Sequence, residues 1–355
     1  MIKLLIMKTK KNDKKNKNKT TVLVAGGAGY IGSHTCVSLL EQGYDIVVVD
    51  NFVNSSPVSL ERVTKITGKT FPWYHVDVRN RAQMAEIFEK HKIDWVIHLA
   101  ALKAVGESMT DPLRYYENNI NATLSLLTVM QNYHCKKIVF SSSATVYGDP
   151  EKLPLTEDCR LQAVNPYGAT KIMSEDILRD LCHADPEFTA VILRYFNPVG
   201  AHPSGLIGED PKGIPHNLTP YITRVLTGKL PYLQVFGDDY DTHDGTGVRD
   251  YIHVCDLAQG HVQSIAKIKK CGVHTYNLST GHGSSVLDVL HAFERATDRK
   301  IPYQIKPRRP GDVTAYYADP QRAQTELGWH AQYDLDAMAR DLWHFYTQNP
   351  NGYDA

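Results

Sequence analysis

A doubly wound parallel α/β sheet carrying a smaller α/β lobe is the fold class that three features of this 355-residue chain predict. Short β-branched runs alternate with longer amphipathic stretches from Val22 to Arg194, the rhythm of strand–helix–strand units. Several of those runs are apolar throughout, as in Ile46-Val-Val-Val49, which is the pattern of strands covered on both faces. Beyond Asn197 the rhythm breaks into a Gly- and Pro-rich stretch, Asn197–Pro215, followed by shorter and less regular elements.

The composition suits such a fold. Hydrophobic residues make up 42% and charged residues 22%, which excludes a disordered, collagen-like or disulfide-scaffold chain. The 39 basic and 39 acidic residues cancel, but unevenly: residues 1–20 carry eight lysines and one acid, and the remainder is net acidic. A Lys/Asn-rich segment with so few apolar residues cannot bury enough surface to order itself, so a solvated basic tail is expected over 1–20. The acidic body gives no reason to expect a nucleic-acid enzyme. Thr20–Leu40 lacks charged residues and follows lysines, superficially like a signal anchor, yet glycines and Ser33, His34 and Thr35 interrupt it. No export signal and no membrane span are expected. The six cysteines form no Cys-x-x-Cys pair, and free thiols in a reducing cytoplasm are the simplest reading.

In order, strands are expected at Val22–Ala25, Asp45–Asp50, Phe71–Asp77, Trp95–Ala100, Lys137–Ser142 and Thr189–Arg194. Helices are expected at Ser33–Gln42, Arg81–His91, Pro112–Tyr133 and Tyr167–His183. In such sheets ligands sit at the carboxyl ends of the strands. The expected division is a cofactor-binding domain over 21–198 and a smaller lobe over 199–346, interleaved by some return of chain near 250–275.

The first strand runs straight into Gly26-Gly-Ala-Gly29-Tyr30-Ile31-Gly32. Glycines here permit a tight turn and close approach of backbone to a pyrophosphate, while the helix that follows turns its free N–H groups to the anion. Asp50 ends the second strand 18 residues past Gly32, near the usual offset for a carboxylate on the adenosine ribose. Its charge would repel a 2′-phosphate, so NAD is expected rather than NADP. Gly68-Lys-Thr70 is no triphosphate loop, since Val63 stands where the upstream glycine belongs.

Tyr-x-x-x-Lys puts two side chains on one helix face, and the spacing occurs twice. Tyr133 ends a helix and Lys137 starts a strand, so that pair does not share a face. Tyr167 follows Pro166, suited to a helix start, with Lys171 one turn on and Ser141-Ser-Ser143 ending a strand upstream. A phenol with a pKa near ~10 is roughly a thousandth ionised at neutral pH. An ammonium at Lys171 and a cationic nicotinamide could lower that pKa toward about 7 against desolvation, making Tyr167 a general base for a sugar hydroxyl held by Ser143.

These motifs, with Leu102–Ser108, Ser141–Gly148, Asn165–Lys171, Leu193–Gly205, Gly245–Val254 and Pro307–Asp312, resemble the UDP-glucose 4-epimerases, extended short-chain dehydrogenase/reductases of Rossmann type. The resemblance covers residues 21 to about 353. It implies a retained NAD that accepts hydride from C4 of a UDP-sugar and returns it to the opposite face, interconverting UDP-galactose and UDP-glucose. It assigns Ser143, Tyr167 and Lys171 to catalysis. Around the dinucleotide it places the glycine turn with Tyr30 and Ile31, then Asp50, Asn51, Asn54, Asp77 and Val78, and on the nicotinamide side Leu99, Lys103, Asn118 and Tyr195. Around the UDP-sugar it places Asn197, Asn217, Leu218, Phe236, Arg249, Tyr251, Arg309 and Asp312, the arginines suiting a diphosphate. Ala25, Leu99 and Ala101 depart from residues common in the family. In the family a bulky residue at the position of Tyr316 narrows the sugar pocket, implying preference for UDP-glucose and UDP-galactose over N-acetylated sugars. The family also pairs through two helices, which implies a homodimer; Leu124, Leu127, Ile172 and Leu178 suit that face, and the same residues equally suit covering the sheet.

Other chemistries fare worse. A 4,6-dehydratase of the same fold needs a carboxylate after the serine, where Ala144 and Thr145 stand. A silent NAD-binding protein has no need of the intact Ser143, Tyr167 and Lys171. Serine hydrolysis lacks a Gly-x-Ser-x-Gly elbow, and the sixteen histidines suggest no metal set.

Overall fold

A computed structural model describes residues 19–211, 217–309 and 311–353. All but the last two positions of the expected tail, residues 1–20, lie outside the described residues. The first unit is β1 (Thr21–Ala25), α1 (Tyr30–Glu41) and β2 (Asp45–Asp50). It is followed by α2 (Pro57–Thr67), β3 (Trp73–His75), α3 (Arg81–Lys90), β4 (Trp95–His98), α4 (Val105–Thr110), α5 (Pro112–Asn132) and β5 (Lys137–Ser141). After a short 3₁₀ turn at Ala144–Tyr147 come α6 (Pro166–Ala184), β6 (Thr189–Tyr195) and β7 (Asn197–Val199). The rest of the chain forms α7 (Leu218–Leu226), β8 (Leu233–Phe236), β9 (Val248–His253), α8 (Val254–Lys267), β10 (Gly272–Leu278), β11 (Gly283–Ser285) and α9 (Val286–Thr297). It ends with β12 (Tyr303–Lys306), β13 (Ala315–Tyr316), α10 (Gln321–Leu327) and α11 (Leu335–Gln348).

Seven parallel strands make the main sheet in the order β10-β6-β5-β4-β1-β2-β3. Alternate residues of each strand feed two separate cores, as a period of two requires. Val22, Val24, Ile46, Val48 and Ile97 pack beneath α1, α2 and α8, whereas Leu23, Val47, Val49, Val96 and Phe140 pack beneath α3, α5 and α6. Covering both faces is what makes the strands apolar throughout. Strands β7, β11 and β13 pair with β9 in a small sheet, and β8 pairs with β12. A third core of Ile222, Val235, Phe293, Leu342 and Phe345 holds these pieces together.

The helix starts follow their capping residues. Ser56 accepts from the Val58 amide, Asp111 from Arg114 and Asn165 from Gly168, each followed by proline in the first turn. Helix α1 differs: Gly29 occupies the cap and supplies no side-chain acceptor.

Three elements shift from the sequence reading by more than one residue at an end. Helix α1 begins at Tyr30 rather than Ser33, because Gly32 already lies in its first turn. The strand expected over Phe71–Asp77 shortens to Trp73–His75, and β4 stops at His98, the next residues turning over the strand ends. The expected dimer face is also corrected. Leu127 and Leu178 are buried under the main sheet, and Ile172 packs against the cluster around Tyr147, leaving only Leu124 of the four exposed. No helix among the described residues is long and apolar enough to cross a membrane.

Candidate active site

A cleft of about 470 Å3 opens over the carboxyl ends of β1, β2, β4 and β5, the edge where a parallel sheet presents its ligands. Gly26 turns the chain out of β1 with φ of +84°, and a Cβ there would lie 2.8 Å from the Ala100 amide nitrogen. At Gly32 a Cβ would meet the Gly26 carbonyl at 2.2 Å, so α1 can pack on the turn only without a side chain at that point. The uncapped first turn of α1 consequently faces the cleft with its amide donors and the positive end of its dipole. This is a cradle for an anion held by backbone.

Asp50 closes one side. Its Oδ2 accepts from the Ala28 amide at 3.0 Å, and its Oδ1 accepts from the Phe52 amide and the Ser55 hydroxyl at 2.9 and 2.8 Å. The carboxylate thus both shapes the turn after β2 and lines the cleft. Asn51 donates to Asp77 Oδ2 at 3.1 Å. Arg79 also binds Asp77, and these Arg79 hydrogen bonds hold the Asp77 carboxyl down at about 2 despite partial burial. Asn54, Val78, Leu99, Lys103, Asn118 and Tyr195 complete the expected dinucleotide wall. Tyr30 and Ile31 line it too, although the Tyr30 hydroxyl is committed to the Gly200 carbonyl at 2.6 Å.

Ser143, Tyr167 and Lys171 meet in the same cleft. Ser143 follows β5 and caps the 3₁₀ turn, its Oγ accepting from the Thr145 amide at 3.2 Å. Tyr167 and Lys171 share a face of α6, and Ser143 adjoins the Tyr167 phenol and favours its ionisation. Lys171 Nζ donates to the Ser141 carbonyl at 2.7 Å and lies over the Phe140 ring. Tyr133, the false partner, caps α5 while Lys137 opens β5.

The chain alone does not make the phenol acidic. Burial pushes the Tyr167 phenol up to about 12, with Ser143 only partly offsetting it. Lys171 is itself pulled down to about 8 by burial, against the opposing charge of Glu175. Desolvation therefore outweighs the help Tyr167 gets from this chain. The ammonium is directed at the Ser141 carbonyl and stands 5.7 Å from the tyrosine ring centre. Lowering the phenol toward neutrality takes several further kcal/mol of phenolate stabilisation from what binds in the cleft.

The expected UDP-sugar residues divide. Asn197 and Asn217 line the cleft. Leu218, Phe236, Arg249, Tyr251, Arg309, Asp312 and Tyr316 lie outside its lining, most of them in a neighbouring group built on β9 and β13. Tyr251 stands in register with Asn197 on the paired strands β9 and β7, joining the group to the cleft. Arg249 donates to the Val313 carbonyl at 2.9 Å with Asp312 3.8 Å away, and Arg309 lies over the Phe236 ring and donates to Asp312 at 2.8 Å. Leu218 packs against the third core. The Tyr316 hydroxyl donates to the Ala144 carbonyl at 2.6 Å, beside Ser143.

Sequence reasoning missed Arg79, Glu209 and Tyr353 in the cleft wall. Arg79 was available in its spacing to Asp77; Glu209 and Tyr353 arrive only through tertiary folding. Among the described residues one group has metal-ligand potential, the exposed His243 with the partly buried Asp244 and Asp288, none of which lines the cleft. Its Asp244 is engaged by Thr246 and Ser285.

Residues 23–342 match the family model for GDP-mannose 4,6 dehydratase. The UDP-glucose 4-epimerase of Dictyostelium discoideum is 57% identical over 94% of this chain and 97% of its own. The chain belongs to the UDP-glucose 4-epimerase family. Within that family, the Bacillus subtilis (strain 168) enzyme is 56% identical over 94% of this chain and 98% of its own. The crystal structure of the Bifidobacterium longum UDP-glucose 4-epimerase with NAD+ and UDP superposes with a TM-score of 0.91 at 60% identity, covering 94% of this chain and 100% of that one.

Proposed function

We propose that this protein interconverts UDP-galactose and UDP-glucose at C4 with NAD as a resident cofactor. The observation that carries the reading is one cleft holding both an uncapped, glycine-built helix start and the Ser143–Tyr167–Lys171 group. The α1 amides would hold the pyrophosphate, Asp50 the adenosine ribose, and Asp77 with Val78 the adenine side. Bound NAD would supply a two-electron acceptor for the C4 hydrogen and a cationic ring near the phenol.

This chain's residues then have defined tasks. Ser143 holds the sugar hydroxyl oxygen, Tyr167 exchanges its proton through the phenolic oxygen, and Lys171 keeps positive charge behind that oxygen. Arg249 and Arg309 would take the diphosphate, for which Asp312 is the present partner of both. Residues 21–198, with chain returning near 250–275, serve the cofactor, and 199–346 serve the UDP-sugar. Tyr316, fixed beside Ser143, supports preference for sugars without an N-acetyl group. Leu113, Leu124 and Met173 are exposed on α5 and α6, which supports a homodimer through these helices. Six free thiols suit a reducing cytoplasm.

The test is incubation of purified protein with UDP-galactose and no added dinucleotide. UDP-glucose is expected as product, with NAD released on denaturation. A 4-keto-6-deoxy product would instead support the dehydratase chemistry, and no turnover would overturn both.

A further inference from the structure

Behind the catalytic group lies a charged cluster built on two side chains closed off from solvent, Glu175 and Arg194. Glu175 stands one turn beyond Lys171 on α6 and is 0% exposed, and Arg194 of β6 is 2% exposed. Glu175 Oε1 accepts from Arg194 Nε at 3.0 Å and from the Ser142 hydroxyl at 2.6 Å. Its Oε2 accepts from Arg194 Nη2 and from Arg179 Nη2, both at 2.6 Å. Arg194 also donates to the Tyr147 hydroxyl and the Glu157 carbonyl at 3.1 Å. A buried ion pair is a poor source of stability compared with apolar packing, so its presence beside a reaction centre calls for another role.

Ser142 lies between the two residues that aim the site. The Ser141 carbonyl anchors the Lys171 ammonium, and Ser143 adjoins the Tyr167 phenol in the same cleft. One carboxylate therefore grips the middle of this turn and places a negative charge one helical turn from the lysine.

We propose that Glu175 is a positioning residue for the epimerisation, fixing the Ser141–Ser143 turn through Ser142 and supplying the charge that keeps Lys171 an ammonium in a dry site. The proposal rests on the catalytic reading of Ser143, Tyr167 and Lys171 given above.

The other groups around Lys171 do not duplicate this charge. On its own helix it faces Tyr167. From β4 comes His98, kept neutral because burial, aided by Lys171, pushes it down to about 3. β5 presents the Phe140 ring and the Ser141 carbonyl. Tyr195 of β6 bonds Ser141, with His261 of α8 beyond it pushed down by burial to about 4. From α5 come the neutral Asn119 and Thr123, bonded to Thr170 and Ser174. Glu107 of α4 is engaged by Arg114 and Tyr115. Arg179 and Arg194 are the cations that temper Glu175.

The test is the pH dependence of kcat for the holoenzyme on UDP-galactose. Removing a negative charge favours phenolate and disfavours ammonium, so both limbs of the E175Q profile are expected to move down by about one pH unit. R179Q removes a cation and is expected to move both limbs the opposite way, by a few tenths of a unit. E175D keeps the charge, so it should restore the wild-type profile at reduced kcat. S142A should lower kcat by about tenfold without a shift. Arg179 is a third exposed, so R179Q decides the matter if E175Q does not fold. Lower kcat with an unshifted profile in folded E175Q, or an unshifted profile in R179Q, would overturn the proposal. Failure of the wild-type protein to turn over UDP-galactose would overturn the underlying catalytic reading instead.

Discussion

Between Ala25 and Ser55 one continuous stretch of chain builds a wall of the cleft largely from backbone: a glycine turn, an uncapped helix start and an aspartate that folds back on the turn. The group around β9 and β13 is made differently, from side chains separated by over a hundred positions, with Asn197 against Tyr251 and Arg249 and Arg309 sharing Asp312. A wall of backbone fails when atoms are added to it. A wall of side chains fails when charge is removed. Tyr167 and Lys171 stand between the two and answer to both.

That contrast orders the expected effects of substitution. Tyr167→Phe removes the exchangeable proton and is expected to cost about 10³-fold in kcat with the fold and bound NAD retained, as read by steady-state assay and cofactor release. Gly32→Ala forces a methyl onto the Gly26 carbonyl and is expected to cost about 3 kcal/mol of stability along with the bound dinucleotide, measured by thermal unfolding. Gly29→Ala sharpens the same point: its Cβ would sit 3.4 Å from that carbonyl, so the loss should be far smaller. Equal losses at the two glycines would break the account of this wall. Arg309→Gln is expected to raise the KM for UDP-galactose about tenfold while leaving the NAD content unchanged. Loss of NAD in that variant would dissolve the division between the walls.

Acid gives the mildest contrast. Burial holds His34 and His98 down at about 3 and His261 at about 4, all three around the main sheet. They stay neutral in the folded protein but take up protons on unfolding, near the ordinary histidine pKa of about 6.5. Stability is therefore full above about 6.5 and falls progressively as the pH drops toward 4. The melting temperature is expected to fall by several degrees between pH 7 and 5, with amide exchange rising first around the main sheet. A flat response would contradict burial of these imidazoles.

The parallel sheet was legible in the sequence because strands covered on both faces must be apolar throughout, as in Ile46–Val49. The glycine turn was legible because Gly26 and Gly32 each answer a local steric demand. The Tyr167–Lys171 pair was distinguishable from Tyr133–Lys137 because proline marks a helix start and β-branched residues mark a strand. Other features depend on packing between distant segments. Glu209 reaches the cleft by crossing to Lys103 at 3.3 Å, and no local spacing announces that. Leu127 and Leu178 looked equally suited to a partner or to the sheet, and helix rotation sent them to the sheet. How strongly desolvation raises the Tyr167 phenol in the chain alone was not legible, because burial is a tertiary quantity.

The central claim is that the hydrogen taken from C4 of the sugar never leaves the protein before it is returned. The direct measurement uses UDP-galactose deuterated at C4, converted by the purified protein in ordinary water and read by mass and NMR. UDP-glucose that keeps its deuterium at C4, with no added dinucleotide, is the expected product; appearance of solvent hydrogen at that carbon would contradict internal return.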